Sequence, residues 1–250
     1  MNNETHKKNF DRDGYVVVPQ FLPSDEWDEL TGNIDRYIRQ VVPTLSDESV
    51  YYQDRDRPET IRQLEHMEQD PYFNAYQRHP RWLALAQMLL DEPVEIENPK
   101  WFNKPPGAVH PTPPHQDNYY FCLEPPKVIT MWIAMDKVDD ENGCLRYVVG
   151  SHREGIRKHG ASDILGFSQG IVDFGPNDQA REMAPQLQYG DLVVHHGETI
   201  HRADPNRSET RSRRAFAMVA RGQHCCINEQ RHAAYLAARD AQHQTKGIQS

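Results

Sequence analysis

Residues 127–136, KVITMWIAMD, constrain the fold of this chain more than any other segment. They are almost wholly apolar, rich in β-formers, and followed by the turn-forming run DDENG. A strand of this texture has no polar face to offer water, so it is predicted to lie buried within a sheet. Further short strands with turn signals surround it: VEIENPKWFN from Val94, CLRYVV from Cys144, QYGDLVVHH ending at His196, and RRAFAMVARG from Arg213. Upstream, residues 14–22 (GYVVVPQFL) read as one more strand. Ser24 reads as the N-cap of a helix running to about Arg39, with Asp25 and Glu26 at its positive end. A polar loop is expected over 43–58 and helices over 59–69 and 80–91. In the second of these, Leu83, Ala86 and Leu90 recur at helix spacing.

Helices first, then a run of strands, then a last helix: this order predicts a mainly β sandwich or barrel with flanking helices. Parallel βαβ alternation is absent. One domain is expected over 1–250, with a helical N-terminal part (about 1–92), a β core (about 93–222) and a C-terminal helix (about 229–243) that has no evident cap. Residues 153–186, mixed in character, are expected to make a long excursion over the site.

Composition removes several function classes. No apolar run approaches the roughly eighteen residues of a membrane span, and the N-terminus lacks the apolar stretch of a signal peptide, so a cytoplasmic protein is expected. The four cysteines, Cys122, Cys144, Cys225 and Cys226, form no C-x-x-C pair, which argues for a reducing compartment and against a cysteine-held zinc. A formal net charge of -9 argues against nucleic acid. One basic cluster, Arg202, Arg207, Arg211, Arg213 and Arg214, is either a solvated loop or an anion site.

The chemistry is carried by HPTPPHQD. On a strand, His115 and Asp117 (positions i and i+2) project from one face. Downstream, GDLVVHHGETIHRADPN offers His195, His196 and His201. His195 and His196 are adjacent and point to opposite faces of a strand, so only one of them can join the same point. Two imidazoles and one carboxylate leave three positions of a metal open, the facial arrangement of non-haem Fe(II) oxygenases. An H-x-D pair alone recurs by chance, and its flanking segments give it meaning.

Those segments occur in a recognisable order: NKPPG, HPTPPHQDNYYF, MWIAMDKVDDENGCLRYVVGSH and GDLVVHHGETIHRADPNRSETRSRRAF. Together, over roughly residues 10–222, the chain resembles the phytanoyl-CoA dioxygenase-like branch of the Fe(II)- and 2-oxoglutarate-dependent oxygenases. The resemblance implies a double-stranded β-helix (a cupin-like jelly roll), with Fe(II) as cofactor and 2-oxoglutarate and O2 as co-substrates. It assigns His115, Asp117 and His201 to the metal and to catalysis, His201 because it precedes the A-D-P-N turn. His196 then becomes a packed or supporting imidazole, and His110 a loop residue.

The resemblance also places Arg213 on the far carboxylate of 2-oxoglutarate, a role suited to a planar, permanently charged fork. Arg211 and Arg214 are its alternatives. Trp132 borders the co-substrate pocket, Thr130 on the same face offers it a hydroxyl, and Lys100 lines it. Ala203 stands where many relatives have serine. Tyr119, by strand alternation, falls beside Asp117. Arg62 is expected on a surface helix, with a co-substrate contact as the other reading, and Arg146, His152 and Arg153 flank the GSH turn.

The function implied is hydroxylation of a small molecule with release of succinate and CO2. The carboxylate of Asp117 favours this over halogenation. The partners expected are a small-molecule substrate, neither nucleic acid nor membrane, and a monomer or homodimer. The alternative is a cupin-type Zn or Mn metalloenzyme, a hydrolase or isomerase, which has no use for Arg213.

Overall fold

Two faces of apolar side chains on the strand over residues 127–136 set the architecture. The structure, a computed structural model, describes residues 3–46, 49–57, 60–161 and 169–246, with side chains as far as 241. The chain starts with α1 (Asn3–Asp13), β1 (Tyr15–Val18) and α2 (Ser24–Arg36). After a π-helical turn over Tyr37–Val41 come β2 (Val50–Tyr52), β3 (Ile61–Leu64), α3 (Pro71–Tyr76) and α4 (Pro80–Leu90). Next are β4 (Val94–Lys104), β5 (Thr112–His115), α5 (Asp117–Phe121), β6 (Leu123–Glu124), β7 (Val128–Ala134) and β8 (Leu145–Val148). Then follow β9 (His159–Ala161), β10 (Gln169–Ile171), α6 (Pro176–Gln179), β11 (Glu182–Met183) and β12 (Leu192–His196). The chain closes with β13 (His201–Ala203), β14 (Arg213–Gly222), β15 (Cys226–Ile227) and α7 (Glu229–Lys246).

A seven-stranded antiparallel sheet has the order β1-β12-β7-β14-β4-β3-β2. A four-stranded sheet, β11-β8-β13-β5, packs against it. On β7, Ile129, Met131 and Ile133 face outward into a large core with Leu30, Trp82, Leu89 and other helix residues. Trp132 and Ala134 face inward, against Leu145, Tyr147 and Ala203 of the smaller sheet. The apolar run is therefore continuous because both faces of its strand are covered. This is the expected jelly-roll, double-stranded β-helix with helices packed outside. In the smaller sheet His201 lies directly opposite His115 across the β13–β5 ladder.

Helix α4 buries Trp82, Leu85, Ala86, Leu89 and Leu90 on one face. Trp82 is fully buried, meets Phe21 edge-on at 4.9 Å, and donates from its indole to the Tyr76 hydroxyl at 3.2 Å. Trp82→Ala is expected to cost about 3–5 kcal/mol, read as a lowered urea midpoint; a loss below about 1 kcal/mol would mean that this layer does not hold the sheet.

Several local expectations are corrected. Residues 60–69 form no α-helix: Ile61–Leu64 make β3 and Met67–Gln69 a 3-10 turn, because β3 pairs with both β4 and β2. Long-range pairing outweighs local propensity here, and residues 58–59 lie outside the described residues. Helix α2 begins at Ser24 with Pro23 in the capping position and no side-chain cap. Helix α7 does have a cap: the Asn228 side chain accepts from the backbone N–H of Arg231 at 3.0 Å. Residues 1–92 supply three strands of the large sheet as well as helices. Of the 153–186 excursion, 162–168 lie outside the described residues, and β9 and β10 flank them as an antiparallel pair. The described cysteines form no disulfide, and no described helix is long and apolar enough to cross a membrane.

Candidate active site

β5 ends at His115 and α5 begins at Asp117. The two side chains therefore meet across a strand-to-helix turn rather than along one strand. Gln116 fixes that turn. It is fully buried, its amide donates to the carbonyls of Gly155 and Glu198 at 2.8 Å each, and its oxygen accepts from the Arg157 N–H at 2.8 Å. The Asn118 N–H donates to the Gly197 carbonyl at 2.8 Å. The segment before His201 is thus clamped to the turn that carries Asp117.

His115, Asp117 and His201 each offer one ligand atom, and the three atoms lie within 4.8 Å of one another. His115 Nδ1 lies 2.8 Å from the Pro113 carbonyl, and His201 Nδ1 lies 3.0 Å from the Thr199 carbonyl. Donation from Nδ1–H to those carbonyls turns the Nε2 atoms, 3.5 and 3.7 Å from Asp117 Oδ1, toward one point. Burial, with His115 and His195 nearby, holds the His201 imidazole well below its usual pKa, so it is neutral and has a free lone pair. Burial opposes the Asp117 charge, but His201, His115 and His195 outweigh it and hold the carboxyl well below its usual range. Two imidazoles and a carboxylate are a donor set suited to a divalent transition metal.

A second cluster, Asp140, Cys144 and Asp204, has comparable spacing. Its carboxylates are already held by Arg146 at 2.8 and 2.6 Å and by Arg202 at 2.6 Å.

A cavity of about 410 Å³ opens over the triad. The basic cluster resolves by direction. Arg211 is paired with Asp139 and Glu141, Arg214 with Asp136, and Arg202 with Glu182 and Asp204. Arg207 donates to the Asp140 carbonyl. Arg213 alone of the five turns into the cavity. It is 4% exposed, and its guanidinium carbon stands 5.4 Å from the centre of the Trp132 ring. Its Nε finds no hydrogen-bond partner among the described residues. Burial lowers it to about 10, which leaves it a cation at neutral pH.

Two further basic side chains line the same cavity: Lys104, which the sequence did not single out, and Arg62, which it placed on a surface helix. Lys104 pairs with Arg213 across the β4–β14 ladder. Burial, together with Arg213 and Arg62, pushes its amine down to about 6. The carbonyls of Asp204 at 2.6 Å and of Ala203 and His110 at 3.4 Å favour its charged form. Arg62 is on β3, not on a surface helix. Tyr51 pairs with Gln63 and Tyr52 with Ile61, so a bulge at Arg62 brings Arg62 and Gln63 both to the cavity. Lys100 also lines the cavity and is held by Glu65 at 3.0 Å.

The Thr130 hydroxyl is engaged with Asp117 Oδ2 at 2.5 Å rather than free for a co-substrate. Tyr119 turns away from the cavity because α5, not a strand, follows Asp117. Its hydroxyl bonds Gln169 and its ring stacks on His159. Tyr120 takes the cavity-facing place, with Tyr235 of α7 at a ring distance of 5.7 Å. Of the paired histidines, His195 faces the site, while His196 lies outside it near Phe10 and His152. Strand alternation carried that signal, since His195 pairs with the inward-facing Thr130.

A family model for phytanoyl-CoA dioxygenase matches residues 10–215. Phytanoyl-CoA dioxygenase domain-containing protein 1 of Mus musculus is 32% identical over 156 residues, which is 60% of this chain and 52% of that protein. The chain spans about half the length of the curated relatives it matches first. EvdO2 from Micromonospora carbonacea var. aurantiaca, solved with 2-oxoglutarate, is 25% identical with a TM-score of 0.70, covering 91% of this chain and 93% of that one. The epimerase SnoN, solved with Fe3+, alpha ketoglutarate and nogalamycin RO, shares the fold at 23% identity and a TM-score of 0.70, over 90% of this chain and 85% of its own.

Proposed function

The chain belongs to the phytanoyl-CoA dioxygenase family, and from that premise we propose that it is an Fe(II)- and 2-oxoglutarate-dependent dioxygenase that hydroxylates a small molecule. One observation carries the reading. A His-Asp-His donor set and a buried guanidinium whose Nε has no hydrogen-bond partner among the described residues share one cavity. A zinc or manganese hydrolase on the same fold would need the first and has no use for the second.

His115, Asp117 and His201 would hold the iron. Held there, iron supplies activation of dioxygen coupled to conversion of 2-oxoglutarate to succinate and CO2. Arg213, stiffened by Trp132, receives the far carboxylate of the co-substrate through a paired fork. Tyr120, Phe121 and Tyr235 wall the mouth and keep water from the reacting atoms. Asp117 would occupy the metal position that a halide takes where this carboxylate is lacking, which favours hydroxyl transfer over halogenation.

Succinate release, with iron and ascorbate present and a panel of small metabolites as substrates, tests the reading. Iron-dependent succinate formation supports it. Tight zinc binding with no 2-oxoglutarate turnover on any substrate would hand the site to the hydrolase or isomerase reading.

Lys104 adds a pH dependence. Its amine sits at about 6 before a dianion arrives. Bound 2-oxoglutarate favours the ammonium and raises that value, so binding takes up a proton in the interval between the two values. Affinity therefore falls as pH rises through that interval, by up to about tenfold per pH unit. Titrations of 2-oxoglutarate into Mn(II)-loaded protein between about pH 6.5 and about pH 8.5 read this slope, and Lys104→Met should flatten it. A flat profile in the unsubstituted protein would show that the lysine is charged before the co-substrate binds.

A further inference from the structure

Asp117 has two carboxylate oxygens, and this chain treats them differently. Oδ1 faces the Nε2 atoms of His115 and His201. Oδ2 is turned toward β7 and β12, where Thr130 donates to it at 2.5 Å and His195 Nε2 lies 3.0 Å away. Thr130 and His195 are direct partners across the β12–β7 ladder, so the two donors arrive from one row of the large sheet.

The Asp117 carboxylate has no hydrogen to give, so His195 donates to it from Nε2. On the other side of the ring, Nδ1 lies 3.2 Å from the Tyr147 hydroxyl, a hydrogen bond that fixes the ring plane. Tyr147 is fully buried and stacks on Tyr15 with ring centres 4.7 Å apart. It sits directly opposite His201 in the smaller sheet. His195 is itself 2% exposed.

We propose that His195 is a positioning residue for the metal site: held by Tyr147, it donates with Thr130 to Asp117 Oδ2 so that the aspartate presents Oδ1 alone to the metal. A carboxylate with both oxygens free can chelate a metal through both and fill a position that a co-substrate needs. Two donors on one oxygen remove that option and fix the carboxylate plane. The idea rests on the proposed function for the identity of the metal-binding set but not for its turnover.

The test uses metal alone. Co(II) is titrated into the apo protein and into two variants, His195→Phe, which keeps a ring and removes the donor, and His195→Gln, which keeps a donor at the reach of Nε2. His195→Phe should bind Co(II) about 10- to 100-fold more weakly and change its visible spectrum. His195→Gln should recover most of the affinity, to within about threefold, and the original spectrum. If His195→Phe binds with unchanged affinity and spectrum, His195 does not position Asp117. If both variants lose affinity equally, the imidazole serves only as packing, and the proposal is overturned. Failure of the unsubstituted protein to release succinate, with this pattern intact, would overturn the oxygenase reading and leave the positioning role standing.

Discussion

Asp117→Ala is expected to reduce succinate formation to background and to weaken metal binding by more than about 100-fold, beyond what loss of a supporting hydrogen bond produces. The carboxylate faces both ligand imidazoles and anchors Thr130 and His195. Its removal opens a coordination position and leaves two buried donors without an acceptor. Metal titration of the purified variant, with circular dichroism to check the fold, decides the matter. Near-normal affinity in a folded variant would mean that the metal sits elsewhere.

Arg213→Ala carries the second largest effect. The guanidinium is 4% exposed and packed on Trp132. Removing one partner of a buried charge pair costs about 3–5 kcal/mol, so the dissociation constant of 2-oxoglutarate should rise by about 100- to 1000-fold or more while metal affinity holds. Arg211→Ala should leave that constant unchanged, because Arg211 spends its charge on Asp139 and Glu141. The opposite ranking of the two variants would overturn the choice of anchor. Succinate yield at saturating co-substrate separates this effect from damage to the fold.

The features readable from sequence were those fixed by period and by apolar density. The run over residues 127–136 needs burial on both faces, and its alternation correctly placed Trp132 and Thr130 on one side. His115, Asp117 and His201 were singled out by the resemblance of their flanking segments, and the structure brings the three side chains together. Other features depend on pairing with distant chain. Arg62 reaches the cavity only through a bulge that β2 imposes on β3. Tyr120 rather than Tyr119 faces the cavity because both sit on α5, which begins at Asp117, and not on a continuing strand. Lys104 was not singled out in the sequence, and its burial follows from lying beside Arg213 in the sheet. Of the five members of the basic cluster, four find acceptors on neighbouring segments outside the cavity. Only the family resemblance singled out the fifth, Arg213, from the sequence.

The ladder between β5 and β13 sets His115 opposite His201, and the one between β1 and β12 sets Tyr15 opposite His195. Both join segments from distant parts of the chain, so neither can close until most of the chain has been made and ordered. Such non-local pairings form late and slowly. The proposed metal-binding point is therefore a record of completed folding: a nascent or partly folded chain carries His115, Asp117 and His201 and still lacks the site. Metal uptake during refolding should lag behind the recovery of helix signal, which makes the ion a reporter of the last step of assembly rather than a seed for the first.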